Sequence, residues 1–112
     1  MAERVNYTEF QEKVMDFSGL AIVEFYSDSC VPCKRMSPVL AALEKQYPEG
    51  LYIAKVNIAY EKELTEEYQV RSTPTFLFLK NGEVVERFSG ARKKEELEQL
   101  IEEKNKEVGE KK

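Results

Sequence analysis

The chain has 112 residues, a length that fits one domain with a core of its own. Hydrophobic residues make up 42% of it and charged residues 34%, which excludes a disordered or fibrous protein. The net charge of −4 comes from 21 acidic and 17 basic residues, and no basic face stands out, so nucleic acid is not an expected partner.

Neither a signal peptide nor a membrane span is indicated. The first ten residues contain no apolar run, and no apolar stretch approaches the roughly 20 residues that cross a bilayer. We therefore expect a cytoplasmic protein that does not contact a membrane. Thiols are kept reduced in that compartment, so its two cysteines are expected to be catalytic or metal-binding rather than structural.

Residues 7–17 carry apolar side chains at helical spacing and predict a first helix. Asn6 with Glu9, or Thr8 with Gln11, would form a capping box at its start. The predicted apolar face consists of Tyr7, Phe10, Val14 and Phe17.

The next segments predict two central strands around a long helix. Residues 20–26 are almost continuously apolar and too short for a helix, which favours a strand buried on both faces, interrupted only by Glu24. A second helix is predicted over residues 31–47 with Pro38 inside it, and a second central strand over residues 51–58. The buried stripe of that helix would consist of Met36, Val39, Leu40, Leu43 and Tyr47.

The second half of the chain predicts a short helix over residues 61–68 and then a β-hairpin. Asn81-Gly82 is the dipeptide that a type I′ turn prefers. Gly90 ends the hairpin, and a last helix is predicted over residues 93–106. The charged tail, residues 107–112, is expected to fray.

With a short strand near residues 3–5, helices and strands alternate before the final hairpin. This order predicts one α/β domain over residues 1–112. Its central mixed sheet would have four to five strands, end in the antiparallel hairpin, and carry about four helices distributed over both faces.

Cys30 and Cys33 are placed directly after a predicted buried strand, at the start of a helix. If Cys30 is the N-cap, its sulfur faces unpaired amides and the positive end of the helix dipole, which favour the thiolate. The thiolate is the nucleophile, so Cys30 is predicted to be the exposed, attacking residue. Pro32 would rigidify the first turn without losing a helical hydrogen bond.

The predicted reaction is a pair of thiol–disulfide exchanges. Cys30 attacks a disulfide of a partner protein, and Cys33 then attacks the mixed disulfide and releases the reduced partner. Cys33 is expected to be the more buried thiol and to need a base. Glu24 is the candidate base, with Lys55 beside it. A strand-edge or solvent-facing carboxylate is equally consistent with the pattern at Glu24, and the pattern at Lys55 by itself favours a solvated lysine.

Two other interpretations of the cysteines are weaker. A structural zinc site needs about four ligands, and a chain with no histidine and no third cysteine leaves only a site shared between subunits. A structural disulfide closing so short a loop would stabilise little. Thr73-Pro74, before the hairpin, would by itself be an ordinary trans turn.

Except at its extreme termini, the chain resembles the thioredoxin family from end to end. The resemblance rests on three segments: residues 21–40 (AIVEFYSDSCVPCKRMSPVL), residues 54–58 (AKVNI) and residues 70–91 (VRSTPTFLFLKNGEVVERFSGA). Several family motifs fall in register within them. The matching positions are Cys30, Cys33, Pro38, Lys55, Pro74-Thr75, Asn81-Gly82 and Gly90.

The resemblance implies a thioredoxin fold and a set of site residues. Thr73–Pro74 would be cis and pack against the cysteines, with the Thr73 backbone binding an extended substrate. Glu24 would be buried behind Cys33 and close to Lys55. The implied substrate-binding residues are Val31, Pro32, Thr73, Pro74 and Gly90.

The resemblance also implies the activity. The protein would be a monomeric protein-disulfide reductase whose electron donor is a thioredoxin reductase. It would need no metal and no cofactor besides its redox-active Cys30–Cys33 disulfide.

Five positions depart from the family pattern. The usual active site is Trp-Cys-Gly-Pro-Cys, whereas this chain has Ser29 and Val31 in place of the Trp and Gly. Glu24 replaces an Asp, Tyr26 a Trp and Ala59 another Asp. A dedicated donor to one partner system is therefore an alternative, and a binding module with an incidental dithiol is a weaker one.

Overall fold

The computed structural model describes residues 2–110, and the side chains of residues 2–105. Its five strands are β1 (Glu3–Arg4), β2 (Leu20–Tyr26), β3 (Leu51–Asn57), β4 (Thr75–Lys80) and β5 (Glu83–Ser89). Its helices are α1 (Tyr7–Glu9, continuing as a π-helix over Phe10–Met15), α2 (Val31–Gln46), α3 (Lys62–Glu67) and α4 (Lys94–Glu110).

The strands form one mixed sheet in the order β1-β3-β2-β4-β5. β3 is parallel to both β1 and β2, whereas β4 is antiparallel to β2 and to β5. Asn81 and Gly82 join β4 to β5 with φ values of 53° and 81°, the left-handed conformations that a type I′ turn requires. The predicted mixed sheet with a terminal hairpin is confirmed.

Helices cover both faces of the sheet, as predicted. On one face, side chains of α1 and α3 pack on alternate residues of the central strands, and this cluster includes Phe10, Val14, Val23, Phe25, Val56 and Leu64. On the other face α2 and α4 pack on the intervening residues, and this cluster includes Ile22, Leu40, Leu43, Phe76, Leu97 and Ile101. Among the described residues no helix is both long enough and apolar enough to cross a bilayer.

The ends of the two terminal helices differ from the prediction. The first helix begins with the predicted capping box, in which Asn6 Oδ1 accepts from the Glu9 amide at 2.8 Å. It ends at Met15 rather than at residue 17, and its second part is a π-helix. The last helix continues past Lys106 to Glu110, and no proline is present in this part of the sequence to end it earlier. The rest of the tail lies outside the described residues.

Gly19 allows β2 and β3 to begin side by side. The Leu20 amide donates to the Gly50 carbonyl at 3.0 Å. A Cβ atom on Gly19 would lie 2.4 Å from that same carbonyl oxygen, well inside van der Waals contact. Only a residue without a side chain therefore fits at this position.

Replacing Gly19 with alanine is expected to lower the free energy of unfolding by about 1–3 kcal/mol, because the sheet must shift to relieve the overlap. Urea denaturation measures the effect. Ser18→Ala, at the exposed neighbouring position, is the control and is expected to change stability by less than about 0.5 kcal/mol. Equal stability of the two variants would contradict the close approach.

Candidate active site

The two cysteines lie at the start of α2, and Cys30 is four residues after the end of β2. Cys30 is the N-cap, and its Sγ accepts a hydrogen bond from the Cys33 amide at 3.2 Å. Pro32 occupies the first turn, where its missing N–H leaves no helical hydrogen bond unmade. Cys30 and Cys33 form a disulfide, with their Cα atoms 5.3 Å apart. The position predicted for the pair is confirmed.

The two cysteines differ less in solvent exposure than the sequence predicted. Cys30 is 7% exposed and Cys33 is 3% exposed, so the prediction of an exposed Cys30 is wrong for the disulfide form. The reason is that both sulfurs pack in one small cluster with the ring of Tyr26. The side chains next to them are accessible, and Val31 is 57% exposed.

Glu24 is fully buried in the middle of the central strand. Side chains alternate along β2, so Glu24 lies on the same face as Ile22 and Tyr26, under α2 and α4. Lys55 is its register partner on β3 and lies on that face too. The structure therefore brings the predicted Glu24 and Lys55 together and excludes a solvent-facing carboxylate.

Burial leaves the Glu24 carboxyl without hydrogen-bond partners among the described residues and raises its pKa. Within residues 2–110 neither Oε1 nor Oε2 has a hydrogen-bond partner. Desolvation raises the pKa of the carboxyl to about 7, against the opposing attraction of the Lys55 ammonium. Lys55 Nζ lies over the Tyr26 ring, 4.6 Å from its centroid.

An open cavity of about 110 Å³ leads from the surface to Cys33 and Lys55. A space of this size has room for water next to polar lining groups such as Ser27, Asp28 and Lys55. Its lining residues are Tyr26, Ser27, Asp28, Cys33, Lys34, Ser37 and Lys55.

The loop before β4 lies at the same edge of the sheet. Thr73–Pro74 is cis, as the resemblance implied, and Pro74 is buried. The Gly90 amide donates to the Pro74 carbonyl at 2.8 Å, which holds the segment after β5 against this loop. Within residues 2–110 no hydrogen bond to the Thr73 backbone is present, so its N–H and C=O are available.

Asn57 was not predicted as a site residue. It is buried at the end of β3, where its Nδ2 donates to Asp28 Oδ1 at 3.3 Å and its Oδ1 accepts from the Ala59 amide at 2.9 Å. It therefore ties the loop that precedes Cys30 to the loop after β3. A polar residue in the otherwise apolar end of that strand was the available signal.

No cluster of three or more His, Cys, Asp or Glu side chains that could hold a metal ion occurs within residues 2–110. A cysteine pair that closes a disulfide at the N-terminus of a helix, on a mixed sheet of this topology, is instead the site of a thiol–disulfide oxidoreductase.

Comparisons with known proteins agree with this class. The family model described as Thioredoxin matches residues 2–103. Thioredoxin-T of Drosophila melanogaster is 39% identical over 80 residues, which cover 71% of this chain and 51% of that protein. Thioredoxin H-type of Ricinus communis is 39% identical over 95 residues, which cover 85% of this chain and 79% of that protein. Thioredoxin of Listeria monocytogenes is 34% identical over 101 residues, which cover 90% of this chain and 96% of that protein. The chain belongs to the thioredoxin family.

The buried acid predicts a particular pH dependence of stability. The carboxyl binds its proton more tightly in the folded state, with a pKa of about 7, than at its ordinary value of 4.5. The stability that it contributes is therefore complete below pH 4.5 and is lost as pH rises toward 7. In the oxidised protein, where the cysteines do not titrate, Glu24→Gln should remove this slope.

Urea denaturation of the oxidised wild type and Glu24→Gln at pH 5 and pH 8 tests the dependence. The unfolding free energy of the wild type relative to the variant should fall by about 2 kcal/mol between the two pH values. A difference that does not change with pH would mean that Glu24 titrates normally.

Proposed function

We propose that this protein reduces disulfides in other proteins by cycling Cys30 and Cys33 between dithiol and disulfide. The observation that supports the proposal most directly is the Cys30–Cys33 disulfide at the start of α2, with the Cys33 amide donating to the Cys30 sulfur. The same donor and the helix dipole favour a Cys30 thiolate in the reduced protein.

In the first step the Cys30 thiolate attacks one sulfur of the substrate disulfide. A bond forms between Cys30 and the substrate, the substrate S–S bond breaks, and the departing sulfur leaves as a thiolate that takes up a proton. In the second step the Cys33 thiolate attacks Cys30 Sγ and releases the other substrate sulfur, which is also protonated. Two electrons and two protons pass to the substrate, and the Cys30–Cys33 disulfide is formed.

The second step requires Cys33 to lose a proton inside the protein. Glu24 is the proposed acceptor: it is buried, its oxygens have no partner within residues 2–110, and a pKa of about 7 suits proton exchange near neutral pH. Lys55, opposite Glu24 and lining the same cavity as Cys33, would stabilise the charge as Glu24 ionises.

We assign substrate binding to the surface around Cys30. Val31 and Pro32 are exposed on one side of it. On the other side an extended substrate segment would pair with the free N–H and C=O groups of Thr73, beside Pro74 and Gly90.

The proposal includes the electron donor, the compartment and the oligomeric state. A thioredoxin reductase would return the disulfide to the dithiol, and the cycle requires no metal or cofactor. A reducing compartment such as the cytoplasm suits a reductase that must be regenerated in this way. One chain contains all the proposed groups, so a monomer would suffice.

Reduction of insulin, coupled to NADPH through a thioredoxin reductase, tests the proposal. Cys30→Ser is expected to lower turnover by more than about 100-fold, because the nucleophile is lost. Cys33→Ser should accumulate a mixed disulfide at Cys30. Thr8→Ala, an exposed change in α1, is the control and should retain full turnover.

Full activity of Cys30→Ser would refute the mechanism. A wild-type disulfide that dithiothreitol cannot open and reoxidation cannot restore would favour the alternative, a binding module with an incidental dithiol.

A dedicated donor to one partner system is the second candidate, because an exposed Val31 and an exposed Ser29 flank Cys30 where the family has Gly and Trp. In that case wild type should turn over poorly with a standard thioredoxin reductase. Val31→Gly combined with Ser29→Trp should then raise kcat/KM by about tenfold or more. Robust wild-type turnover would instead favour a general carrier.

A further inference from the structure

Two side chains on one face of the sheet, Glu24 and Tyr26, neighbour a single ammonium group, that of Lys55. Lys55 lies directly opposite Glu24 in the β2–β3 register, and Tyr26 is the next residue of β2 on that face. Lys55 can therefore reach either neighbour. Its Nζ is 4.6 Å from the centre of the Tyr26 ring, whereas both Glu24 oxygens are without a hydrogen-bond partner among the described residues.

The two positions of the ammonium have opposite consequences for Glu24. A lysine hydrogen-bonded to a buried carboxylate stabilises its ionised form and makes it a weaker base. A lysine held on an aromatic face keeps part of its attraction to the carboxylate but satisfies its own charge elsewhere. The ring and the carboxylate thus compete for one cation.

Within residues 2–105, the other groups around Glu24 offer no competing charge of this kind. Phe76 of β4, the other register partner, is apolar, and α4 presents the buried Leu97 and Ile101 to this face. Cys33 of α2 is locked in the disulfide. Lys34 and Asp28 line the cavity but are exposed to solvent. Lys55 is the charged group that acts on the carboxyl.

We propose that Tyr26 is a positioning residue, whose ring binds the Lys55 ammonium and so prevents it from forming an ion pair with Glu24. The inference rests on the proposed function, in which Glu24 accepts the proton of Cys33. It gives Tyr26, which replaces the usual Trp of the family, a role in tuning the second step of the reaction.

A double-mutant cycle on the oxidised protein tests this. The Glu24 carboxyl ¹³C resonance is titrated in wild type, Tyr26→Leu and Tyr26→Phe, and in Lys55→Met with and without Tyr26→Leu. Tyr26→Leu should lower the Glu24 pKa by about 1, because the freed ammonium moves to the carboxylate. Tyr26→Phe keeps the ring and should leave the value unchanged.

The Lys55→Met background separates the proposal from simple hydration of the space left by the ring. There Tyr26→Leu should have no effect, whereas water entering around Glu24 would lower its pKa in both backgrounds. An equal effect in both backgrounds, no effect in either, or a rise in the wild-type background would overturn the proposal.

A further measurement does not depend on whether Tyr26→Leu folds. In the wild type the ε-methylene protons of Lys55 should resonate upfield of their random-coil positions, because they lie over the ring. Random-coil shifts would overturn the proposal.

Kinetics distinguish this inference from the proposed function. If Glu24 is the base, the acidic limb of the pH profile for mixed-disulfide resolution should move with its pKa in Tyr26→Leu. A titration that shifts while the profile does not would support the positioning of Lys55 and refute the role of Glu24 as base.

Discussion

The burial of β2 on both faces is the constraint from which the rest of the site follows. Every residue of this strand is buried, because β3 and β4 pair with its edges and helices cover both of its faces. A carboxylic acid in such a strand loses its hydration, so Glu24 holds its proton far more tightly than an exposed glutamate does. The same strand ends beside the start of α2, where Cys30 lies. One element thus positions both the proposed nucleophile and the proposed base.

The start of α2 supplies a hydrogen-bond donor to the Cys30 sulfur. A helix N-terminus leaves amides without partners, and here the sulfur of Cys30 takes the place that an oxygen usually occupies as N-cap. Asn57 holds the preceding loop through Asp28, and the Gly90–Pro74 hydrogen bond holds the opposite side. The reacting sulfurs are therefore bounded by loops that backbone and side-chain hydrogen bonds hold in place, which reduces the cost of ordering them during reaction.

The departures from the family pattern leave both cysteines unchanged, although one departure, Val31, lies between the two. Ser29 and Val31 change the surface that a partner meets, since both are exposed next to Cys30. Tyr26 and Glu24 change the interior, where an aromatic ring and a longer carboxylate share Lys55. In the proposed mechanism, the first pair would bear on which partners are recognised, and the second pair on how readily Cys33 loses its proton. The exchanging cysteines and the proline between them match the family pattern, since Cys30, Pro32 and Cys33 are retained.

The sequence by itself determined the order of elements, the type I′ turn at Asn81-Gly82 and the position of the cysteine pair, because periodicity, turn chemistry and helix capping are local properties. The residues alone left Glu24 undecided between the core and the surface, and they favoured a trans bond at Thr73–Pro74. Only the resemblance to a family favoured the buried Glu24 and the cis bond that the structure has. It overestimated the exposure of Cys30 and missed Asn57 as a site residue. These features depend on which strands become neighbours and which side chains cover them. The sequence offered Lys55 beside Glu24 as one alternative; the tertiary structure decided it and placed the Lys55 ammonium over the Tyr26 ring, because register and packing join residues that are distant in the chain.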